Sequence, residues 1–216
     1  MIVSMWMTRD VVTIGPDRPI AEAAESMAQH RIRRLLVVTP GPDGPQLLGI
    51  VSATDVLHAY PPEINPFAVL PRQTPVEHTA LREIMKSNLI TVAPNMPIEE
   101  AAQLMRDRKV GAFPVVRDGK LAGIITESDI FHAFASIFSS AEGGVRITFV
   151  IDRREDAFGL VSEIAAKHAV HVLSLITSVQ GNTPVCVVRL TGPGIDTMLE
   201  DLWKSEHRVL NILRLG

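Results

Sequence analysis

A short stretch that occurs twice constrains this chain more than any bulk property. Gly49-Ile50-Val51-Ser52-Ala53-Thr54-Asp55 returns as Gly123-Ile124-Ile125-Thr126-Glu127-Ser128-Asp129. Each copy reads as a buried strand of β-favouring residues that ends in hydroxyls and runs into a helix start marked by Ser or Thr with Asp. The match continues downstream, with Val56-Leu57-His58-Ala59-Tyr60 against Ile130-Phe131-His132-Ala133-Phe134. One such motif is weak evidence. Two with matched surroundings predict an internal structural repeat.

The first repeat spans residues 1–60. Val11 to Ile14 predicts a strand, Gly15-Pro16-Asp17 a turn, and Pro19 a helix start where its missing N–H costs nothing. Ile20, Ala23, Ala24, Met27 and Ala28 share one helical face. Leu35 to Val38 and Leu47 to Ser52 are strands around a Pro- and Gly-rich loop, and a helix starts near Asp55. The order is β-α-β-β-α.

Residues 61–80 contain Pro61, Pro62, Pro66, Pro71 and Pro75, which exclude a regular helix or central strand and predict a linker. Phe67, Val69 and Leu70 predict that it lies on the protein surface. Residues 81–138 then repeat the first unit. Met85, Thr91, Pro94 and Pro97 match Met7, Thr13, Pro16 and Pro19, and Ile98, Ala101 and Met105 match Ile20, Ala23 and Met27. The hairpin at Arg117-Asp118-Gly119-Lys120 is four residues shorter than its counterpart, a change that a surface loop tolerates. Neither repeat is large enough to bury both faces of its sheet, so the two are expected to pack together.

Residues 145–215 follow another pattern. Arg146 to Ile151 alternates as a strand, Asp156 to Lys167 forms a helix, and Val170 to Val179 and Pro184 to Leu190 are strands joined at Gln180-Gly181-Asn182. Ile195 to His207 is a second helix and Val209 to Leu213 a last strand. That β-α-β-β-α-β order is ferredoxin-like. The predicted fold class is therefore α/β (α+β).

Composition narrows the function. A net charge of −3 gives no basic surface for nucleic acid, and the single cysteine, Cys186, excludes an internal disulfide framework. No apolar run reaches about 18 residues, and the N-terminus lacks the form of a signal peptide. These features predict a soluble cytoplasmic protein with neither nucleic acid nor membrane as partner. No nucleophile–base constellation, phosphate-binding glycine loop or zinc motif is present, so no catalysis is expected.

The paired β-α-β-β-α units with their Gly-h-h-Ser/Thr-x-Ser/Thr-Asp endings resemble tandem CBS domains, the Bateman module. The 145–215 segment resembles an ACT domain, including Gly159 at the strand-to-helix turn, with Phe158 where that family usually has proline. The combination is similar to the acetoin-utilisation regulatory protein family. The resemblance implies a regulatory ligand rather than a required cofactor: AMP, ADP, ATP or S-adenosylmethionine, bound in clefts between the repeats. It also implies a homodimer and a regulated protein of unknown identity.

Within that resemblance, Asp55 and Asp129 would each accept from a ribose diol. Ser52, Thr54, Thr126 and Ser128 would offer hydroxyls beside a helix N-terminus, where phosphate is stabilised. Each cleft would draw on both repeats. Asp55 would face Ile90, Thr91, Val110, Gly111, Ala112 and Pro114, and Asp129 would face Val12, Thr13, Ile32, Arg33 and Arg34. Two guanidiniums would then favour phosphate in the Asp129 cleft, while the Asp55 cleft would carry no such charge.

The same residues admit plainer readings. Ser52-x-x-Asp55 and Thr126-x-x-Asp129 fit a helix capping box, which needs no ligand. Arg33 and Arg34 could be solvated, or paired with carboxylates. His58 and His132 alone make a poor metal site. His168, His171 and His207 lack ligand spacing, and Cys186 reads as inert core. The alternative function is a protein-interaction scaffold with vestigial clefts.

Overall fold

The computed structural model describes residues 1–42, 44–60, 79–138, 143–152, 156–204 and 207–215. The expected linker lies outside these residues up to position 78. The chain forms two compact units, Met1–Ala133 and Phe134–Gly216.

The first unit contains both repeats up to Ala133, within the last helix of the second. Repeat one is β1 (Thr13–Ile14), α1 (Ile20–His30), β2 (Arg34–Thr39), β3 (Gln46–Ser52) and α2 (Ala53–Ala59). Repeat two is α3 (Ile98–Arg108), β4 (Ala112–Arg117), β5 (Lys120–Thr126) and α4 (Glu127–Phe138). Strand β1 runs parallel to β2, and β2–β3 and β4–β5 are antiparallel hairpins. The apolar face expected on α1 is buried through Ile20, Ala23 and Met27, and α3 repeats it with Ile98, Ala101 and Met105. Fully burying one isoleucine contributes about 1.5–3 kcal/mol, so this stripe fixes how each helix sits on its sheet.

Two expectations need correction. The strand expected from Val11 shortens to Thr13–Ile14, and its counterpart in repeat two shrinks to a single bridge between Val92 and Val115. Pro94 interrupts the chain two residues later, and Pro114 on the facing strand has no N–H to donate. The β4–β5 hairpin closes through Asp118 (φ 51°) and Gly119 (φ 76°), two left-handed residues as a type I′ turn requires.

The repeats are also not self-contained segments, because each borrows its first turn from the other. Val3 and Ser4 donate to the carbonyls of Met96 and Pro94, and Thr8 exchanges two backbone hydrogen bonds with Ile124 at 2.9 Å each. In return, Leu81 and Arg82 donate to Arg18 and Pro16, and Lys86 exchanges bonds of 2.9 and 3.0 Å with Ile50. Leu81 is fully buried in the core of repeat one, among Ile20, Leu35 and Val51. This exchange explains the glycine of the repeated motif. A Cβ on Gly49 would meet Met85 Sδ at 2.8 Å and the Lys86 carbonyl at 3.0 Å; one on Gly123 would collide with the Thr8 carbonyl and Met7. A second small cluster of Leu36, Ala112 and Ile124 joins the repeats, with Val11 and Ile50 against it.

The second unit is β6 (Gly144–Val150), α5 (Ala157–Lys167), β7 (His171–Gln180), β8 (Thr183–Thr191), α6 (Ile195–Lys204) and β9 (Val209–Leu215). Its sheet order is β7-β8-β6-β9, with every pairing antiparallel. That is the β-α-β-β-α-β order expected from the sequence, with the two outer strands contributed by β7 and the chain's last strand. Ile147, Phe149, Val188 and Leu190 of the sheet bury against Val161, Met198 and Leu202 of the helices. Cys186 is fully buried in this core. Asp156 caps α5 by accepting from the Gly159 N–H at 3.0 Å, so Gly159 lies in the first helical turn. His168 bonds Asp201 at 2.9 Å, and His207 stacks edge-on against Phe149.

Candidate functional site

Each repeated motif ends in the same construction, because a hydroxyl followed three residues later by Asp closes a capping box. Asp129 Oδ2 accepts from the Thr126 N–H at 2.8 Å and its hydroxyl at 2.7 Å, while Thr126 Oγ1 accepts from the Asp129 N–H at 3.3 Å. Asp55 Oδ2 accepts from the Ser52 N–H at 2.8 Å and its hydroxyl at 2.5 Å, and the Asp55 N–H returns to Ser52 Oγ at 3.2 Å. The capping reading therefore holds at both helices. It uses one carboxylate oxygen of each aspartate.

The second oxygen distinguishes them. Asp55 Oδ1 forms an ion pair with Lys86 Nζ at 3.1 Å. Burial pushes the Asp55 carboxyl upward, but the Ser52 side chain, the Ser52 backbone and Lys86 outweigh it and hold it below the ordinary carboxylate range. Among the described residues, the hydrogen bonds to Asp129 all use Oδ2.

Beside Asp129 lies a cavity of about 420 Å³. The start of α4 supplies Ser128 and Asp129, β5 supplies Ile124 and Thr126, the end of α1 and start of β2 supply His30 to Arg34, and the N-terminal segment supplies Thr8, Asp10, Val11 and Val12. Of the residues expected around Asp129, Val12, Ile32, Arg33, Arg34, Thr126 and Ser128 are gathered here. Thr13 does not line the cavity; it is exposed on β1, in register with Leu36. Sequence reasoning missed Thr8, Asp10, Val11, His30, Arg31 and Ile124. The match of Met7 to Met85 carried the signal for Thr8, because the exchanged segment runs on from it into the cleft. Arg31 adopts φ 53° as the left-handed cap of α1, which turns the chain at the cavity rim.

The residues expected around Asp55 are gathered differently. Ile90 and Thr91 are exposed, Val110 and Gly111 are half-buried, Ala112 is buried against Leu36 and Ile124, and Pro114 is buried within β4. Thr54 is exposed on the first turn of α2. Gly111 is overlaid by a side chain from the other repeat: a Cβ there would collide with the Arg34 guanidinium and lie 2.8 Å from a Glu127 carboxylate oxygen. Burial lowers the Arg34 pKa from its ordinary value, with Glu127 acting against it, followed by Arg33 in the same sense as burial and Asp55 in the opposite one. The expectation that the Asp55 cleft lacks charge is thus corrected. Lys86 sits on Asp55, and the guanidinium of Arg34, a residue that also lines the Asp129 cavity, lies over Gly111 because glycine leaves the room.

His132 stacks edge-on against Trp6 with ring centroids 5.3 Å apart. Among the described residues, no three His, Cys, Asp or Glu side chains cluster as metal ligands, and no helix is long and apolar enough to cross a membrane.

Known proteins resemble this arrangement. A protein of Methanocaldococcus jannaschii, MJ1225, is 30% identical over 139 residues, which cover 62% of this chain and 47% of that protein; the chain thus spans about half the length of that relative. In crystal structures, the CBS domain pair of protein MJ0100 in complex with 5′-methylthioadenosine and S-adenosyl-L-methionine superposes with a TM-score of 0.52 at 26% identity, covering 63% of this chain and 97% of that one. A Vibrio cholerae protein named as an acetoin utilization protein (AcuB) gives a TM-score of 0.52 at 30% identity, covering 64% and 93%. The sequence profile of the CBS domain matches residues 3–62 and again residues 81–136. More than half of the chain is accounted for by these two matches, and the protein belongs to the CBS-domain family.

Proposed function

We propose that this protein is a non-catalytic regulator that binds an adenosine-containing ligand in the Asp129 cavity. The observation that carries this reading is the cavity's division of labour. Its lining brings together a capped aspartate, with Oδ1 left over from capping, and three arginines, Arg31, Arg33 and Arg34. A carboxylate oxygen suits a ribose hydroxyl donor, guanidiniums suit phosphate oxygens, and Val11, Val12, Ile32 and Ile124 offer apolar walls to a base. The CBS pair of MJ0100, with its two adenosine-containing ligands, supports the ligand class.

The second unit is proposed as an ACT-like domain on its β-α-β-β-α-β order and four-stranded antiparallel sheet. It would serve dimerisation through a sheet edge or bind a small effector. Helix α4 carries the cavity's aspartate in its first turn and continues to Phe138, so a change at that turn has a covalent path toward the second unit. Ligand shifts such a switch only by binding its two states unequally.

The test is calorimetric titration of AMP, ADP, ATP and S-adenosylmethionine into the nucleotide-free protein and its Asp129→Asn variant. Asparagine keeps a capping oxygen and removes the charged acceptor, so the helix start is retained. Saturable binding lost in Asp129→Asn is the expected outcome. Silence from all four ligands in folded protein would favour the scaffold.

A further inference from the structure

The exchange of N-terminal segments puts one residue opposite each motif aspartate, and those two residues differ. Thr8 is held against β5 by its paired backbone bonds to Ile124; Lys86 is held against β3 by the same pair of bonds to Ile50. Ile124 and Ile50 are the same position of the repeated motif, five residues before Asp129 and Asp55. The two side chains therefore start from equivalent places relative to their aspartates. Thr8 is short and lines the Asp129 cavity. Lys86 crosses to Asp55 and takes Oδ1 at 3.1 Å.

We propose that this pair selects the cleft: Lys86 acts as an internal occupant of the Asp55 acceptor, and Thr8 leaves the Asp129 acceptor open, so one nucleoside ligand binds per chain. The inference rests on the proposed use of Asp129 Oδ1 for the ligand's ribose. The ion pair need not be strong in itself, since Lys86 is largely exposed and such pairs contribute little to stability. What matters is the exchange at Oδ1. A ribose hydroxyl entering there would displace an ion pair in exchange for a bond from a neutral donor, and meets the Lys86 side chain where Thr8 leaves room in the other cleft.

The test is a reciprocal exchange. AMP and adenosine are titrated by calorimetry into the full chain and into Thr8→Lys, Lys86→Thr and the double variant, with circular dichroism to confirm folding. Both positions are exposed, so neither change disturbs a core. The expected result is one site in the wild type, weakened about tenfold or more in Thr8→Lys as a charged occupant takes the acceptor. Lys86→Thr should show two sites, and the double variant one site that is lost on adding Asp55→Asn. Two sites in the wild type, or a single site in Lys86→Thr, overturns the selector and leaves the Asp129 reading standing if Asp129→Asn still abolishes binding. A silent wild type with a gained site in Lys86→Thr retains the selector and rejects the Asp129 reading. Silence in both rejects both.

Discussion

Asp55 and Asp129 are the same residue of a repeated motif, yet they divide their oxygens differently. Asp55 gives one oxygen to the cap and one to Lys86, which holds its carboxyl below the ordinary range. A depressed pKa in the folded state contributes stability that is fully present above the unfolded value of about 3.9 and is lost as pH falls through the folded one. The urea midpoint of the wild type should therefore fall between pH 5 and pH 2.5 by more than that of Asp55→Asn. Equal falls would place the acid sensitivity elsewhere. Arg34 is the cation to test for phosphate. Arg34→Ala should weaken AMP by about tenfold or more while sparing adenosine, because a guanidinium contributes charge-assisted bonds only to the phosphate. Equal losses for both ligands would assign Arg34 to packing, as its burial over Gly111 allows.

At the scale of elements, the exchanged segments explain more than the helices do. Gly119 and Gly123 show the contrast. Gly119 faces open space with φ 76°, so Gly119→Ala should cost only the left-handed penalty of about 1–2 kcal/mol. Gly123 faces the backbone carbonyl of Thr8, which cannot swing aside as a side chain would. Gly123→Ala should cost about 1–3 kcal/mol through overpacking. The cause is open to a double-mutant cycle: in protein lacking residues 1–8, the Gly123 penalty should vanish, because its source has been removed. An undiminished penalty would locate the strain within β5. Removing residues 1–8 should also raise hydrogen exchange in α3 and β5 rather than in α1, since Val3, Ser4 and Thr8 bond to repeat two.

At the scale of the molecule, two separate cores predict that residues 1–138 fold alone and keep the affinity of the full chain for AMP. Loss of binding in that fragment would show that the second unit contributes to the site. Much of this organisation was legible beforehand. Periodicity placed α1 and α3, the repeated Gly-to-Asp stretch located both helix caps, and alternation gave the β-α-β-β-α-β order of residues 145–215, because each depends on neighbours within a few positions. The repeat also predicted that the two halves pack together, and the resemblance to CBS pairs implied two clefts built from both. It did not reveal that residues 1–8 serve the second repeat and residues 79–86 the first, since backbone bonds between distant segments leave no periodic trace. The placement of Lys86 on Asp55, of Thr8 in the Asp129 cavity, and of Arg34 over Gly111 follows from that exchange. Local sequence determined which elements form and where each helix is capped; tertiary structure alone decided which aspartate keeps an oxygen to offer, because side chains remote in sequence compete for it.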